Sequence, residues 1–220
     1  MGHAIADRVK YLSTITRVGS VRVSDAIEAP DESEFFEFVR ASAEQFSDLI
    51  PTPSENNRFL GNASFRCRHG FPSFRSDSGK IFVSKRNVDK EFIGRDGFVA
   101  INPDVSVVEY YGDHKPSVDT PVHLRLYSRC SKINYMIHGH VYIKDVRMTR
   151  NNVPCGGLEE VNEVMEALNG GPIYAFNSEV FEVNLKGHGF IAGFSQVRHL
   201  QEAMKSIQYK FKARVFPERI

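Results

Sequence analysis

Tryptophan is absent from this 220-residue chain, and cysteine occurs only three times, as Cys67, Cys130 and Cys155. An odd number of widely spaced thiols with no CxxC pair is no disulfide framework, and they read as reduced thiols. Neither sign of charge dominates: 28 Lys and Arg face 27 Asp and Glu, for a formal net charge of +1. That balance points to neither nucleic acid nor an anionic membrane as a partner. Long apolar runs are also missing. A stretch such as residues 135–137 is far too short to span a bilayer, and no apolar leader followed by a small-residue cleavage site opens the chain. A cytoplasmic location is the expectation. Internal repeats, low-complexity tracts and long linkers are lacking too. What is there is a chain 41% hydrophobic, long enough for one sizeable core and short for two. We therefore expect one domain over residues 1–220, with 1–31 an N-terminal extension of undefined structure.

The pattern along the chain is α/β. Residues 11–23 alternate loosely, as a strand or as a hairpin turning at Gly19. An acidic turn at Asp31-Glu32-Ser33-Glu34 opens a helix whose Phe35, Phe38, Val39, Ala43 and Phe46 recur at helical spacing, before Pro51 and Pro53 end it. Short β-rich runs at 63–68, 80–84, 97–102 and 106–111, separated by Gly, Asp, Asn and Pro, read as mostly antiparallel sheet. Residues 119–130 look helical, 133–143 strand-like and 157–169 an acidic helix stopped by Gly170-Gly171. Strands at 179–185 and 190–192 precede a last amphipathic helix over 197–211. Helices on either side of one mixed sheet is the simplest arrangement.

The eight histidines are unevenly placed. His138-Gly139-His140 lies in the strand-like run, so both imidazoles project from one face, about 6–7 Å apart at Cα. Two ligands of one metal can converge from there, and imidazole suits zinc and its neighbours. A solvated or core histidine pair is the plainer reading of that spacing. Gly139 leaves the opposite face open to close approach by another backbone. His188 stands between Gly187 and Gly189 at a turn between two apolar runs, where an exposed turn histidine is the plain alternative. In Lys115-Pro116-Ser117-Val118-Asp119-Thr120-Pro121-Val122-His123, either Ser117 or Asp119 can cap the helix that follows, with Pro121 in its first turn. Asp119 can instead serve as a carboxylate near a metal, as ligand or base, with the helix N-terminus favouring an anion. His123, four residues on, reads as packing or support. The loops at Arg58–Ser64 and Val83–Lys90 are polar and basic enough to donate to a phosphate or carboxylate, although each alone is merely a loop.

Taken in order, these pieces resemble the class II aldolase/adducin family, the family of fuculose-phosphate aldolases and ribulose-phosphate 4-epimerases. Gly61-Asn62-Ala63-Ser64 is similar to its G-N-[IVA]-S, and residues 83–90 fall where it has I-T-P-S-G-V-D-K. The 112–124 run is similar to G-x-x-K-P-S-S-[ED]-T-P-x-H-L. His138-Gly139-His140 resembles H-[TNG]-H, Val153-Pro154-Cys155 the I-P-C segment, and Gly187-His188-Gly189 the [GH]-H-G after a strand. The likeness spans residues 35 to about 210.

The resemblance implies a three-layer α/β/α domain around a mixed, mostly antiparallel sheet, assembled as a homotetramer. It implies Zn2+ or another divalent metal on His138, His140 and His188, with Asp119 as the catalytic carboxylate. Gly61, Asn62, Arg86, Asn87, Ser117 and Val118 would line a pocket for the phosphate of a small anionic sugar-like substrate. The implied activity is retro-aldol cleavage through a metal-stabilised enediolate, with the carboxylate moving the proton. Alternatives are a 4-epimerase of the L-ribulose-5-phosphate type and a non-catalytic metal-binding or oligomerisation module of the adducin type. Three departures bear on the choice. Position 119 is Asp where aldolases of the family carry Glu, which is closer to the epimerase. Lys85-Arg86-Asn87 replaces P-S-G and brings two cations to the pocket. Only 13 residues, 141–153, separate His140 from Pro154, where family enzymes have a longer segment carrying a further acid. Tyr142 is the nearest phenol.

Overall fold

The computed structural model describes residues 15–47, 49–50, 58–66, 80–103, 106–169 and 178–201. Strand side chains alternate between faces, and in this chain both faces find an apolar partner. Ile81 and Val83 of one strand point into one cluster and Phe82 into the other. That is why the strands read as nearly continuous apolar runs rather than as one wet and one dry face.

The strands are β1 (Ser20–Ser24), β2 (Leu49–Ile50), β3 (Arg58–Phe59), β4 (Asn62–Arg66), β5 (Ile81–Ser84), β6 (Phe98–Ile101), β7 (Val108–Tyr111), β8 (Tyr135–Gly139), β9 (Val180–Leu185) and β10 (Gly189–Phe194). Eight of them form one sheet in the order β1-β7-β6-β5-β4-β8-β10-β9, while β2 and β3 pair separately. β1 runs parallel to β7, and every other pairing is antiparallel. The helices are α1 (Ser33–Phe46), α2 (Thr120–Arg129) and α3 (Glu159–Asn169).

Helix α1 buries Phe35, Phe36, Phe38 and Val39 against Phe65, Phe82, Phe98, Ile137 and Phe190 of the sheet. Phe65 sits at the centre of that layer, its ring centroid 5.1 Å from Phe82, 5.2 Å from Phe98 and 5.7 Å from Phe35. On the opposite face α2 supplies Val122, Leu126 and Tyr127, and α3 supplies Val161, Val164 and Met165, against Val83, Val99, Met136, Val183 and Ile191. The result is an α/β/α sandwich on a mixed sheet. Among the described residues, no helix is long and apolar enough to cross a membrane.

One open choice is settled and one expectation shifts. Residues 20–24 form an edge strand, not one arm of a hairpin: Gly19 spends its carbonyl on Val108 N, 2.9 Å away, which starts the parallel pairing with β7. The strand expected over 133–143 stops at Gly139, after which residues 140–158 run irregularly to α3. Side chains replace the missing ladder there. Asn184 of β9 accepts from Ile143 N at 2.9 Å and donates to Ile143 O at 2.6 Å. Thr149 Oγ1 accepts from Lys186 N, and Glu163 of α3 accepts from the amides of Arg150 and Asn151. A short connection of this kind satisfies its backbone without a strand of its own. Of the remaining expectations, residues 197–201 are helical. Residues 11–14, 67–68 and 202–211, the Pro51 and Pro53 stop, Gly170-Gly171 and Cys67 lie outside the described residues.

Candidate metal centre

Three elements end at one point. His138 lies near the end of β8, His140 just past it, and His188 in the turn between β9 and β10. In the sheet register His138 stands opposite Ile191 of β10 and Asn62 of β4. The two histidine segments meet through backbone. Gly189 has φ +145°, and a Cβ there would collide with Gly139 O and lie 2.8 Å from His140 Cα. Only glycine admits that approach, and the approach brings the β9–β10 turn against the His138-Gly139-His140 segment. The imidazole centroids are 4.6 Å (His138–His188), 5.0 Å (His138–His140) and 5.1 Å (His140–His188) apart, and all three rings are buried.

Hydrogen bonds fix how the rings present themselves. His138 Nδ1 lies 2.7 Å from Phe190 O, which can only accept, so this nitrogen carries the proton. Its Nε2 is left buried with no hydrogen-bond partner. His188 Nδ1 lies 2.8 Å from Glu160 Oε1 at the start of α3, and its Nε2 lies 3.0 Å from Cys155 Sγ. Burial, the two neighbouring imidazoles and His123 push the pKa of His138 well below the usual histidine range. Burial and His188 likewise bring His140 down to about 4, against an opposing pull from Asp119. Burial disfavours a charged His188 as well, yet the Glu160 carboxylate and Cys155 hold its pKa well above the ordinary value.

Asp119 completes the cluster. It precedes α2, but its side chain makes no capping hydrogen bond. The alternative in which Asp119 caps the helix is therefore not realised. Ser117 does part of that work, its Oγ accepting from Asp119 N at 3.4 Å. The Asp119 carboxylate turns instead to Asn62, whose Nδ2 donates to Oδ2 at 2.9 Å and to Ser117 Oγ at 3.1 Å. Asp119 Oδ2 is 3.8 Å from His138 Nε2, while Oδ1 is buried without a partner. His123 lies behind the site, Nδ1 against Ser64 Oγ at 2.7 Å, with Tyr127 OH 2.9 Å from the same hydroxyl. Burial lowers its pKa to about 4 despite Asp119.

Do these residues fit a divalent cation? Ligand atoms of His138, His140 and His188 all lie within 4.8 Å of one another, and so do those of Asp119, Cys155 and His188. A buried lone pair on His138 Nε2 and a buried Asp119 oxygen, both without partners, are costly unless a cation takes them up. His138 and His140, held neutral in a low-dielectric pocket, are already in the form that binds metal, and His188 gives up its proton on joining them. The donor set fits.

A cleft opens over the cluster. It is lined by Gly61, Asn62, Arg86, Asn87, Ser117, Val118, Asp119 and His140, together with Arg58 and Cys155. All six residues expected around an anion therefore share one wall system with Asp119 and His140. They do not contribute equally. Asn87, at φ +63°, spends Oδ1 on Phe59 N at 2.8 Å and thereby joins two loops, and Arg86 Nε donates to Pro116 O at 3.3 Å.

Three residues of the site escaped sequence reasoning. Glu160 looked like an ordinary acid in a first helical turn. Cys155 looked like one thiol of three, although the V-P-C likeness marked its neighbourhood. Lys90 is fully buried and donates from Nζ to Leu60 O at 3.2 Å, next to Gly61. Tyr142 also has a defined contact: its OH accepts from Gly187 N at 2.6 Å, which steadies the turn that bears His188.

Known proteins carry the same architecture. An L-fuculose 1-phosphate aldolase superposes with a TM-score of 0.53 at 18% identity, over 82% of this chain and 85% of that one. The N-terminal class II aldolase domain of a conserved protein from Thermoplasma acidophilum gives 0.53 at 14% identity, over 81% and 90%. An aldolase II superfamily protein from Pseudomonas syringae gives 0.51 at 13%, over 79% and 68%. At such identities the likeness is one of fold. No curated protein matches the chain by sequence. Residues 49–144 match the family model for the Class II Aldolase and Adducin N-terminal domain. The matched segment makes residues 49–144 similar to that family's domain, and the solved structures show that the fold is shared.

Proposed function

We propose that this protein is a divalent-metal-dependent lyase that cleaves a carbon–carbon bond in a small phosphorylated or carboxylated sugar-like substrate. The observation that carries the reading is the convergence of His138, His140 and His188, with Asp119 Oδ2 3.8 Å from His138 Nε2, beside a cleft that His140 and Asp119 line together with Arg58 and Arg86. The three imidazoles would hold Zn2+ or a neighbouring divalent ion. When bound, such an ion supplies Lewis-acid polarisation of substrate oxygens and offsets the negative charge that bond cleavage leaves.

The chain's own groups do the rest. Arg58 and Arg86 attract the substrate's anionic end, with Gly61, Asn62, Asn87, Ser117 and Val118 shaping the space around it. Asn62 holds the Asp119 carboxylate through Oδ2, 3.8 Å from His138 Nε2, and leaves Oδ1 without a partner. The unpartnered Oδ1 leaves this carboxylate free to accept the proton of the hydroxyl that becomes a carbonyl when the bond breaks, and to return it to the other fragment. The low polarity of the surroundings, with Asp119, His138 and His188 all buried, strengthens each of these charge interactions. The reading takes residues 1–220 as one unit of this kind, working as a homotetramer. Light scattering on the purified protein checks the assembly.

Metal analysis and a turnover screen test the proposal together. Purified protein should carry a stoichiometric divalent metal, and His138→Ala combined with His140→Ala should lose it. Unchanged metal content in that variant would sink the site. Incubated with phosphorylated ketoses, the loaded protein should release an aldehyde and a three-carbon product. Inversion at C4 without cleavage would select the epimerase, a reading favoured by the shorter acid at 119. No turnover across the panel, with metal and assembly intact, would select the non-catalytic module.

A further inference from the structure

Cys155 stands outside the histidine triad but against it. Its Sγ is 3.0 Å from His188 Nε2, the nitrogen that faces away from Glu160, and it lies within 4.8 Å of an Asp119 oxygen as well. The chain places it there deliberately in the backbone: Gly156 takes φ +75°, and a Cβ at that residue would come 2.5 Å from Val118 O. Any larger residue would push the 153–156 turn off the Ser117-Val118-Asp119 segment and carry the thiol away from the site. Cys155 also lines the same cleft as His140 and Asp119.

We infer that Cys155 is a further protein ligand of the metal, bound as the thiolate beside His138, His140 and His188. The inference rests on the metal reading above and deepens it. On binding, the Sγ–H bond breaks, the proton leaves to solvent, and the sulfur lone pair forms the new bond. The consequence is metal choice. A thiolate among imidazoles favours Zn2+ and Co2+ and works against Mg2+ and Mn2+, which prefer oxygen.

The row Cys155–His188–Glu160 has a second meaning. A nucleophile against an imidazole that is oriented by a carboxylate is also the geometry of a catalytic thiol. A nucleophilic triad, however, has no use for the two further imidazoles grouped with His188 or for the unpartnered His138 Nε2 and Asp119 Oδ1. A shared cation accounts for all of them.

Cobalt substitution separates the possibilities. Full-length protein stripped by chelation and reloaded with Co2+ should show visible ligand-field bands and a near-ultraviolet thiolate-to-cobalt charge-transfer band. Cys155→Ser should keep the cobalt and the ligand-field bands and lose the charge-transfer band. Bound cobalt with no such band in the wild type, or a band that survives in Cys155→Ser, overturns the ligand role while leaving the histidine site standing. No cobalt uptake by the wild type overturns the metal reading and the ligand with it. Should Cys155→Ser fail to fold, alkylation of the wild type followed by mass spectrometry decides. Zn2+ should slow modification of Cys155 about tenfold or more, because a metal-held sulfur no longer attacks freely. An unchanged rate in zinc-saturated protein overturns the inference and leaves the reactive-thiol geometry as its explanation.

Discussion

At the scale of single residues, the partner of a ligand matters nearly as much as the ligand. Glu160 is fully buried, and burial raises its pKa while His188 lowers it. A buried carboxylate on the far nitrogen of a ligating imidazole fixes its tautomer and strengthens its basicity. Glu160→Gln should therefore weaken metal affinity about 10–100-fold, measured by competition with a chelating dye. Affinity equal to wild type would show that the pair orients nothing. Lys90 carries a different prediction. Burial brings its pKa down to about 8, against Asp89, which pulls it up. The folded protein thus releases this proton near pH 8, whereas the unfolded chain holds it to about 10.5. Stability from this group is lacking below pH 8 and gained as pH rises towards 10.5. Relative to Lys90→Met, wild type should gain about 2 kcal/mol between pH 7.5 and 10, read from urea unfolding at the two values. A constant difference would show that the amine is solvated. The histidines were legible in the sequence because two-residue spacing and flanking glycines leave a visible mark. Glu160 and Cys155 were not, because a carboxylate in a helix's first turn already has a local reason to be there, and a single thiol has no pattern.

At the scale of elements, the site depends on where strands stop. The run after residue 139 is still apolar (Val141, Ile143), so periodicity continued the strand, but Asn184 takes over the backbone pairing of Ile143 and the ladder ends. The edge strand β1 was readable as a strand, yet alternation says nothing about which neighbour a strand pairs with, so its parallel partner β7 could only be found in three dimensions. Gly189→Ala tests the junction of the two histidine segments. The added methyl meets Gly139 O and His140 Cα, and φ +145° is strained for alanine. The expected cost is about 3 kcal/mol or more, in denaturant unfolding, together with loss of bound metal. Full metal occupancy in that variant would mean that β8 and β10 can part without disturbing the imidazoles. By contrast Phe65→Ala, in the layer under α1, should cost about 3–5 kcal/mol. Its metal content should stay near wild type once folded, because the aromatic layer contributes no ligand.

At the scale of the whole molecule, the two halves of the problem were unequally legible for a physical reason. The α/β/α layering follows from apolar periodicities summed over many residues, and no single departure hides it. The site is a convergence of segments far apart in sequence, β4, the α2 N-terminus, β8, the 153–156 turn, the α3 N-terminus and the β9–β10 turn, and only the fold brings them together. The same convergence sets what metal removal should do. Both core layers are built of apolar side chains packed on one another, so the stripped protein should keep its secondary structure. It should nonetheless melt earlier, because a cation held by β8 and the β9–β10 turn binds the folded state and not the unfolded one. At a free metal concentration about 100 times the dissociation constant the gain is about 2.7 kcal/mol. For a chain of this size that is a rise of roughly 5–10 °C in Tm, with the far-ultraviolet spectrum unchanged. The His138→Ala, His140→Ala variant should melt at one temperature with and without added metal. A metal-dependent rise that persists in that variant would place the stabilising ion elsewhere, whereas a stripped wild type that loses its secondary structure would show that the two apolar layers do not hold without the ion.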